Sequence, residues 1–191
     1  MFHLADIFSL GSASPVTARR FAGRLDTIRA AIASHADEND ARLREHADAL
    51  RSETRSRSPG SELPARAIAL IAEALRRTRG LSAYDCQLIA ALALVEGRIA
   101  EMATGEGKTL VAVMPAFVFA LRGRGSHVAT VNPYLAARDH EFAQPALALL
   151  GVSAGLLEER AGKPQKRAAY ACDVTYGVGT EFGFEIGRAH V

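Results

Sequence analysis

Three features of the 191-residue chain predict an α/β fold with a parallel sheet, preceded by a helical segment. A Gly-rich loop, Thr104-Gly105-Glu106-Gly107-Lys108-Thr109, follows a short apolar stretch (residues 98–102) and opens an apolar helical run (residues 110–121). From Leu81 onward, helical and strand-like patterns alternate, the rhythm of a parallel sheet flanked by helices. Before Leu81 the pattern is helical throughout.

Residues 1–11 place Phe2, Leu4, Ile7, Phe8 and Leu10 together, with Asp6 the only formal charge. They read either as an amphipathic foot on a membrane or partner, or as a terminus docked on its own domain. Phe21, Leu25, Ile28 and Ile32 recur at helical spacing, and a second pattern, with Leu43, Ala47 and Leu50, follows the cap-like Asp37 and Asn39. Residues 56–64 cluster Ser, Pro and Gly and read as a loop; Ile68, Ile71, Ala72 and Leu75 mark a third helix ending before Gly80. The domain reading is a helical segment over 1–79 and a nucleotide-binding half-domain over 80–184.

Within 80–184 the sequence predicts a helix over 85–95, a strand at Ile99, the loop and its helix, and a strand over 127–131. A helix from about 134 to 150, a strand over 152–157 and a strand ending near Tyr176 complete the pattern. In such sheets ligands bind at the carboxyl ends of the strands. The arrangement is that of a partial RecA-like P-loop NTPase.

The loop carries the chemistry. Backbone N–H groups at a helix start point at a phosphate, the helix dipole favours its charge, Lys108 adds a mobile cation, and the Thr109 hydroxyl can hold Mg²⁺. Met102 occupies the first glycine position of the full G-x-x-x-x-G-K-[ST] pattern. Only Lys108, Lys163 and Lys166 are lysines among 23 basic residues, so an Arg-biased chain keeps a compact ammonium at the position that uses one. A hydrolase of this kind also needs acids at the end of another strand. Asp173, an acid directly after an apolar run, is read as such a strand-end acid or as a turn residue, and Val174 stands where a second acid is expected.

Composition sets limits on function. Net charge is +2 with dispersed basic residues, which does not call for a nucleic-acid partner. Cys86 and Cys172 lie apart, without metal-site spacing, and fit a reducing cytosol. The longest purely apolar run, residues 111–121, is too short to span a bilayer.

Several segments in order carry a resemblance: Asp85-Cys86-Gln87-Leu88, Ile99 through Leu110 around the loop, Thr130-Val131-Asn132-Pro133-Tyr134-Leu135-Ala136, Arg138-Asp139, Asp173-Val174-Thr175-Tyr176-Gly177 and Glu181-Phe182-Gly183-Phe184. Over roughly residues 7–184 the chain resembles the SecA preprotein translocase ATPases, a DEAD-like motor family. The Thr-Gly-Glu-Gly-Lys-Thr loop and the Thr-Val-Asn-x-Tyr-Leu-Ala block distinguish it from RNA helicases. The resemblance implies ATP and Mg²⁺ as cofactors, Gln87 as the adenine-reading glutamine with Tyr84 beside the base, and a phosphate loop over Gly105 to Thr109. It also implies Arg138 at the nucleotide cleft, or salt-bridged after the helix turn, and Glu106 organising the loop.

The resemblance further implies a motor that drives preproteins through the SecYEG channel. Such a motor sits at the cytoplasmic face of the bacterial inner membrane, with an anionic membrane surface and a homodimer among its possible contacts. A DEAD-like helicase fragment and a non-catalytic nucleotide-binding module are the alternatives. Three positions depart from the family pattern: Pro133 for Asp, Val178-Gly179-Thr180 for Thr-Asn-Asn, and Ala103 for a basic or polar residue. Residues 185–191, Glu-Ile-Gly-Arg-Ala-His-Val, match the translation of a common sequencing-library adapter and are expected to be artefact. The catalytic acids and the second motor domain are expected beyond residue 184, leaving this stretch able to bind nucleotide without turning it over, and with an exposed sheet edge.

Overall fold

Helix α3 (Leu63–Arg79) is the hub of the molecule, because its residues 67–75 are buried around the whole circumference. A helix apolar on all faces must be enclosed, and α1 (Ala22–His35), α2 (Asp40–Thr54), α4 (Asp85–Val95), α5 (Lys108–Ala120) and α6 (Pro133–Leu149) all pack on it. This computed structural model describes residues 21–55 and 62–189, with side chains excluded at 22 and 185–189. The foot proposed at residues 1–11 therefore lies outside the described residues.

The first three helices follow the sequence pattern. Phe21, Leu25 and Ile28 lie buried along α1, and Leu43, Ala47 and Leu50 along α2. Asn39 caps α2, its side chain accepting from Arg42 N at 2.9 Å. Gly80 ends α3 in the left-handed conformation at φ 68°, which glycine adopts without a Cβ penalty. The loop expected to reach residue 64 is shorter at its described end: α3 starts at Leu63, since Pro64 sits in the first turn, where a missing N–H costs nothing.

Strands β1 (Ser126–Thr130), β2 (Ala154–Leu157) and β3 (Val174–Val178) form a parallel sheet in the order β1-β3-β2. Ser126 pairs with Val174 and Thr130 with Val178; Ala154 also pairs with Val174. Every residue of the central strand β3 is buried. Among the described residues β1 is paired on one side only.

Two elements escaped the sequence reading: α7 (Lys163–Tyr170) and α8 (Gly179–Ala189). Helix α7 buries only Ala169, so it carries almost no apolar stripe, yet it lies close on the sheet. A Cβ added at Gly155 would fall 2.8 Å from the Ala169 carbonyl oxygen. The expected strand at Ile99 is corrected: residues 98–103 have no ladder partner, and Ile99 is 74% exposed. A strand exists through its neighbour, and none of the three strands pairs with this stretch.

Candidate functional site

The loop between Met102 and Lys108 is built on two glycines with positive φ, Gly105 at 89° and Gly107 at 78°. Both angles lie where a side chain is strained. A Cβ at Gly107 would also stand 2.5 Å from Gln87 Nε2, so the end of that side chain would have to move to admit one. Helix α5 begins at Lys108 with no side chain capping its first turn. The first N–H groups of a helix have no partner within it, so this uncapped, glycine-led start is a cradle for an anion.

Each residue singled out in the sequence has a defined place. Gln87, buried at the third position of α4, accepts from Tyr84 N at 3.0 Å through Oε1 and donates through Nε2 to the Glu106 carbonyl at 2.9 Å. It thus satisfies the N-cap N–H of α4, the glutamine half of a capping box, and ties that helix to the loop across 19 residues. Tyr84 is 73% exposed at the α4 N-cap. Glu106 folds back, its carboxylate accepting from Ala103 N at 2.8 Å. The Lys108 ammonium donates to the Ala103 carbonyl at 2.8 Å, so the cation rests on the loop itself. Thr104 is exposed in the turn.

The Thr109 hydroxyl donates to Asp139 Oδ1 at 3.2 Å and accepts from Arg138 Nη2 at 3.0 Å. Arg138 also binds Asp139 at 2.7 Å, so it is salt-bridged, and the same guanidinium touches the loop's threonine. Asp139 stands out in the sequence only as the partner in the Arg138-Asp139 pair, and that pairing is the one local signal for it. Below it, Tyr176 on β3 is 1% exposed, and its hydroxyl makes no hydrogen bond. Burial first, and the Asp139 carboxylate second, push the Tyr176 phenol well above its ordinary pKa.

Asp173 is at the opposite end of the sheet. It precedes β3 and accepts from both Ser153 N at 2.8 Å and Ser153 Oγ at 2.7 Å. An acid serving the phosphate loop belongs at a strand's carboxyl end, so Asp173 is a turn residue at the amino edge. Pro133, the departure from the expected Asp, occupies the first turn of α6, where Asn132 caps by accepting from Leu135 N at 2.9 Å. The N–H that proline lacks would have no partner within the helix at this position. Cys86 and Cys172 are free thiols.

A glycine-led loop at an uncapped helix start, with Lys and Thr on that helix and a parallel sheet behind, defines a P-loop nucleotide-binding domain. A family model described as the SecA DEAD-like domain matches residues 7–190. The chain is 50% identical over 153 residues to a protein translocase subunit SecA 2 of Rhodopseudomonas palustris, covering 80% of this chain and 19% of that protein. It is 42% identical over 164 residues to the SecA subunit of Syntrophus aciditrophicus, covering 86% and 19%. With the SecA subunit of Syntrophomonas wolfei it shares 52% identity over 122 residues, covering 64% and 15%. The chain belongs to the SecA DEAD-like domain family, an ATPase family of protein transport. It spans about a fifth of the length of the curated relatives it matches. No described helix is long and apolar enough to cross a membrane.

Proposed function

We propose that this chain is the nucleotide-binding N-terminal part of a SecA-type motor that takes Mg·ATP at the Gly105 to Thr109 loop. The observation that carries the reading is the cradle: two positive-φ glycines leading into the uncapped start of α5, with Lys108 and Thr109 in its first turn. Phosphate oxygens would lie against the N–H groups of that turn, and Lys108 would exchange the Ala103 carbonyl for phosphate. The Thr109 hydroxyl would hold Mg²⁺, which neutralises charge on the β- and γ-phosphates. Gln87 would read the adenine edge, and Arg138 would turn from Thr109 toward the phosphates.

In the whole protein, ATP turnover would drive preproteins through SecYEG at the cytoplasmic face of the inner membrane, with anionic lipid and a second copy among its contacts. Asp173 precedes β3 and is held by Ser153, so it is not the strand-end acid that would orient water. We therefore expect binding without turnover by residues 1–191 alone.

Titration of the 191-residue chain with a fluorescent ADP derivative tests this. Saturable binding, displaced by ATP and weakened at least tenfold in Lys108→Ala, is the expected result. Unchanged binding in Lys108→Ala would refute the site, and Mg²⁺-dependent hydrolysis lost in that variant would refute the expected lack of turnover.

A further inference from the structure

Away from the loop, at the junction of α1 and α2, two imidazoles converge on one carboxylate. His35 is the last residue of α1, Glu38 lies in the turn, and His46 stands in the second turn of α2. His35 Nδ1 is 2.7 Å from Glu38 Oε2, and His46 Nε2 is 2.9 Å from Glu38 Oε1. The rings face each other with centroids 5.0 Å apart and planes tilted by 53°. One ligand atom from each residue can be chosen so that all three lie within 4.8 Å of one another. All three side chains are partly buried, with exposures of 13%, 25% and 36% for His35, Glu38 and His46.

We propose that His35, Glu38 and His46 form a binding site for a divalent transition-metal ion, zinc by its chemistry. Two imidazole nitrogens and one carboxylate oxygen are a donor set that suits zinc, with a fourth position left to water. Metal–ligand lengths of about 2.0–2.2 Å require tetrahedral ligand atoms roughly 3.4 Å apart. The two short histidine–glutamate contacts run to different carboxylate oxygens; with one oxygen taken as ligand, the widest separation, at most 4.8 Å, must close by up to about 1.4 Å, a movement within reach of side-chain rotation. Ligation needs both nitrogens facing Glu38 without a proton. A neutral ring meets that by carrying its N–H on the outer nitrogen, and a protonated ring meets it by releasing one proton to solvent.

The surrounding charge permits a cation. Arg77 donates to the His35 carbonyl at 2.8 Å, but its guanidinium is shared between Glu73 and Asp40. Arg42 is turned to Glu45, and Asp37 adds an exposed carboxylate in the same turn. The ion would fasten the α1–α2 turn. Helix α1 packs on α3 and α4 while α2 packs on α3 and α6, so a clamp there fixes two helices against the hub.

The test uses the 191-residue chain stripped of metal with a chelator and titrated with zinc chloride by calorimetry, with Co²⁺ as an optical probe. The expected result is one equivalent bound, a visible Co²⁺ spectrum of nitrogen and oxygen ligands without thiolate bands, and a raised unfolding temperature. His46→Gln and Glu38→Gln should each weaken binding at least tenfold and abolish the thermal shift, and their circular dichroism shows whether each still folds. Cys86→Ser and Cys172→Ser should bind as the parent does. Absence of stoichiometric binding by the parent chain overturns the proposal, as does binding that persists in both glutamine variants, which would put the ion elsewhere.

Discussion

Gln87 donates through Nε2 to the Glu106 carbonyl at 2.9 Å while its Oε1 accepts from Tyr84 N, so both ends of its amide are committed to the protein. Reading adenine uses the same two atoms, through the second N–H of Nε2 and the second lone pair of Oε1, which these contacts leave open. Two hydrogen bonds at about 1 kcal/mol each correspond to roughly thirtyfold in affinity. Gln87→Ala is therefore expected to lower ATP affinity by about that factor and leave GTP nearly unaffected, measured by competition against a fluorescent ADP. An equal loss for both nucleotides would confine Gln87 to holding the loop.

Gly107 stands against the same side chain. At φ 78°, with a built Cβ 2.5 Å from Gln87 Nε2, alanine there meets backbone strain and displaces the Gln87 amide from its contact with the loop. Backbone strain alone costs about 1–3 kcal/mol. Gly107→Ala should abolish measurable nucleotide binding while lowering the unfolding temperature by only a few degrees, because the loop is exposed and can reopen locally. Gly97, also at positive φ but with nothing within 4 Å of its Cβ position, supplies the control: Gly97→Ala should bind nucleotide as the parent does.

Local signals in the chain carried much of this architecture. The loop, the end of α3 at Gly80 and the capping of α2 each depend on residues a few positions apart, and each appears where the pattern puts it. Contacts across many residues were not legible. Nothing local told that Gln87 would reach Glu106, or that Asp139 would take the Thr109 hydroxyl. Helix α7 was missed because it is polar on nearly every face, and the Ile99 strand was expected because an apolar stretch reads the same whether or not a neighbour pairs with it. Asp173 followed an apolar run, but that run lies in α7 and its turn, so the acid enters β3 instead of leaving it.

Glu73 had a readable signal in Arg76 and Arg77, three and four residues on. Its side chain is fully buried in the hub helix, and Arg77 extends the pair to Asp40 and to the His35 carbonyl. Burial opposes the charge, yet the hydrogen bonds and charges of Arg76 and Arg77 hold the carboxyl below the usual range. A folded pKa below the unfolded value of about 4.3 gives stability present above that pH and lost as pH falls toward the folded value. Glu73→Gln is expected to cost about 3 kcal/mol at pH 7, because it leaves a largely buried guanidinium short of a partner. Urea midpoints from pH 5 to pH 3 should fall more steeply for the parent than for Glu73→Gln; parallel slopes would remove Glu73 from the acid response.

Thr109 supplies the sharpest test of the metal step. Its oxygen donates its proton to Asp139 and accepts from Arg138, which leaves one further lone pair for Mg²⁺ and a second if Arg138 moves away. If Thr109 holds Mg²⁺ as proposed, Asp139 would act as a positioning residue, since taking the hydroxyl proton turns the lone pairs away from itself. Thr109→Val keeps the shape and removes the oxygen, so nucleotide affinity measured with Mg²⁺ should fall to the value measured with a chelator. Thr109→Ser should retain the Mg²⁺ dependence. In Asp139→Ala the hydroxyl is present but unoriented, and about a tenfold loss of the Mg²⁺-dependent part of the affinity is expected, equivalent to about 1.4 kcal/mol. Affinity without Mg²⁺ separates orientation from simple damage to the fold: it should be the same in parent, Thr109→Val and Asp139→Ala, and a fall there would mean that the Thr109–Asp139 contact serves the loop's shape and not the metal.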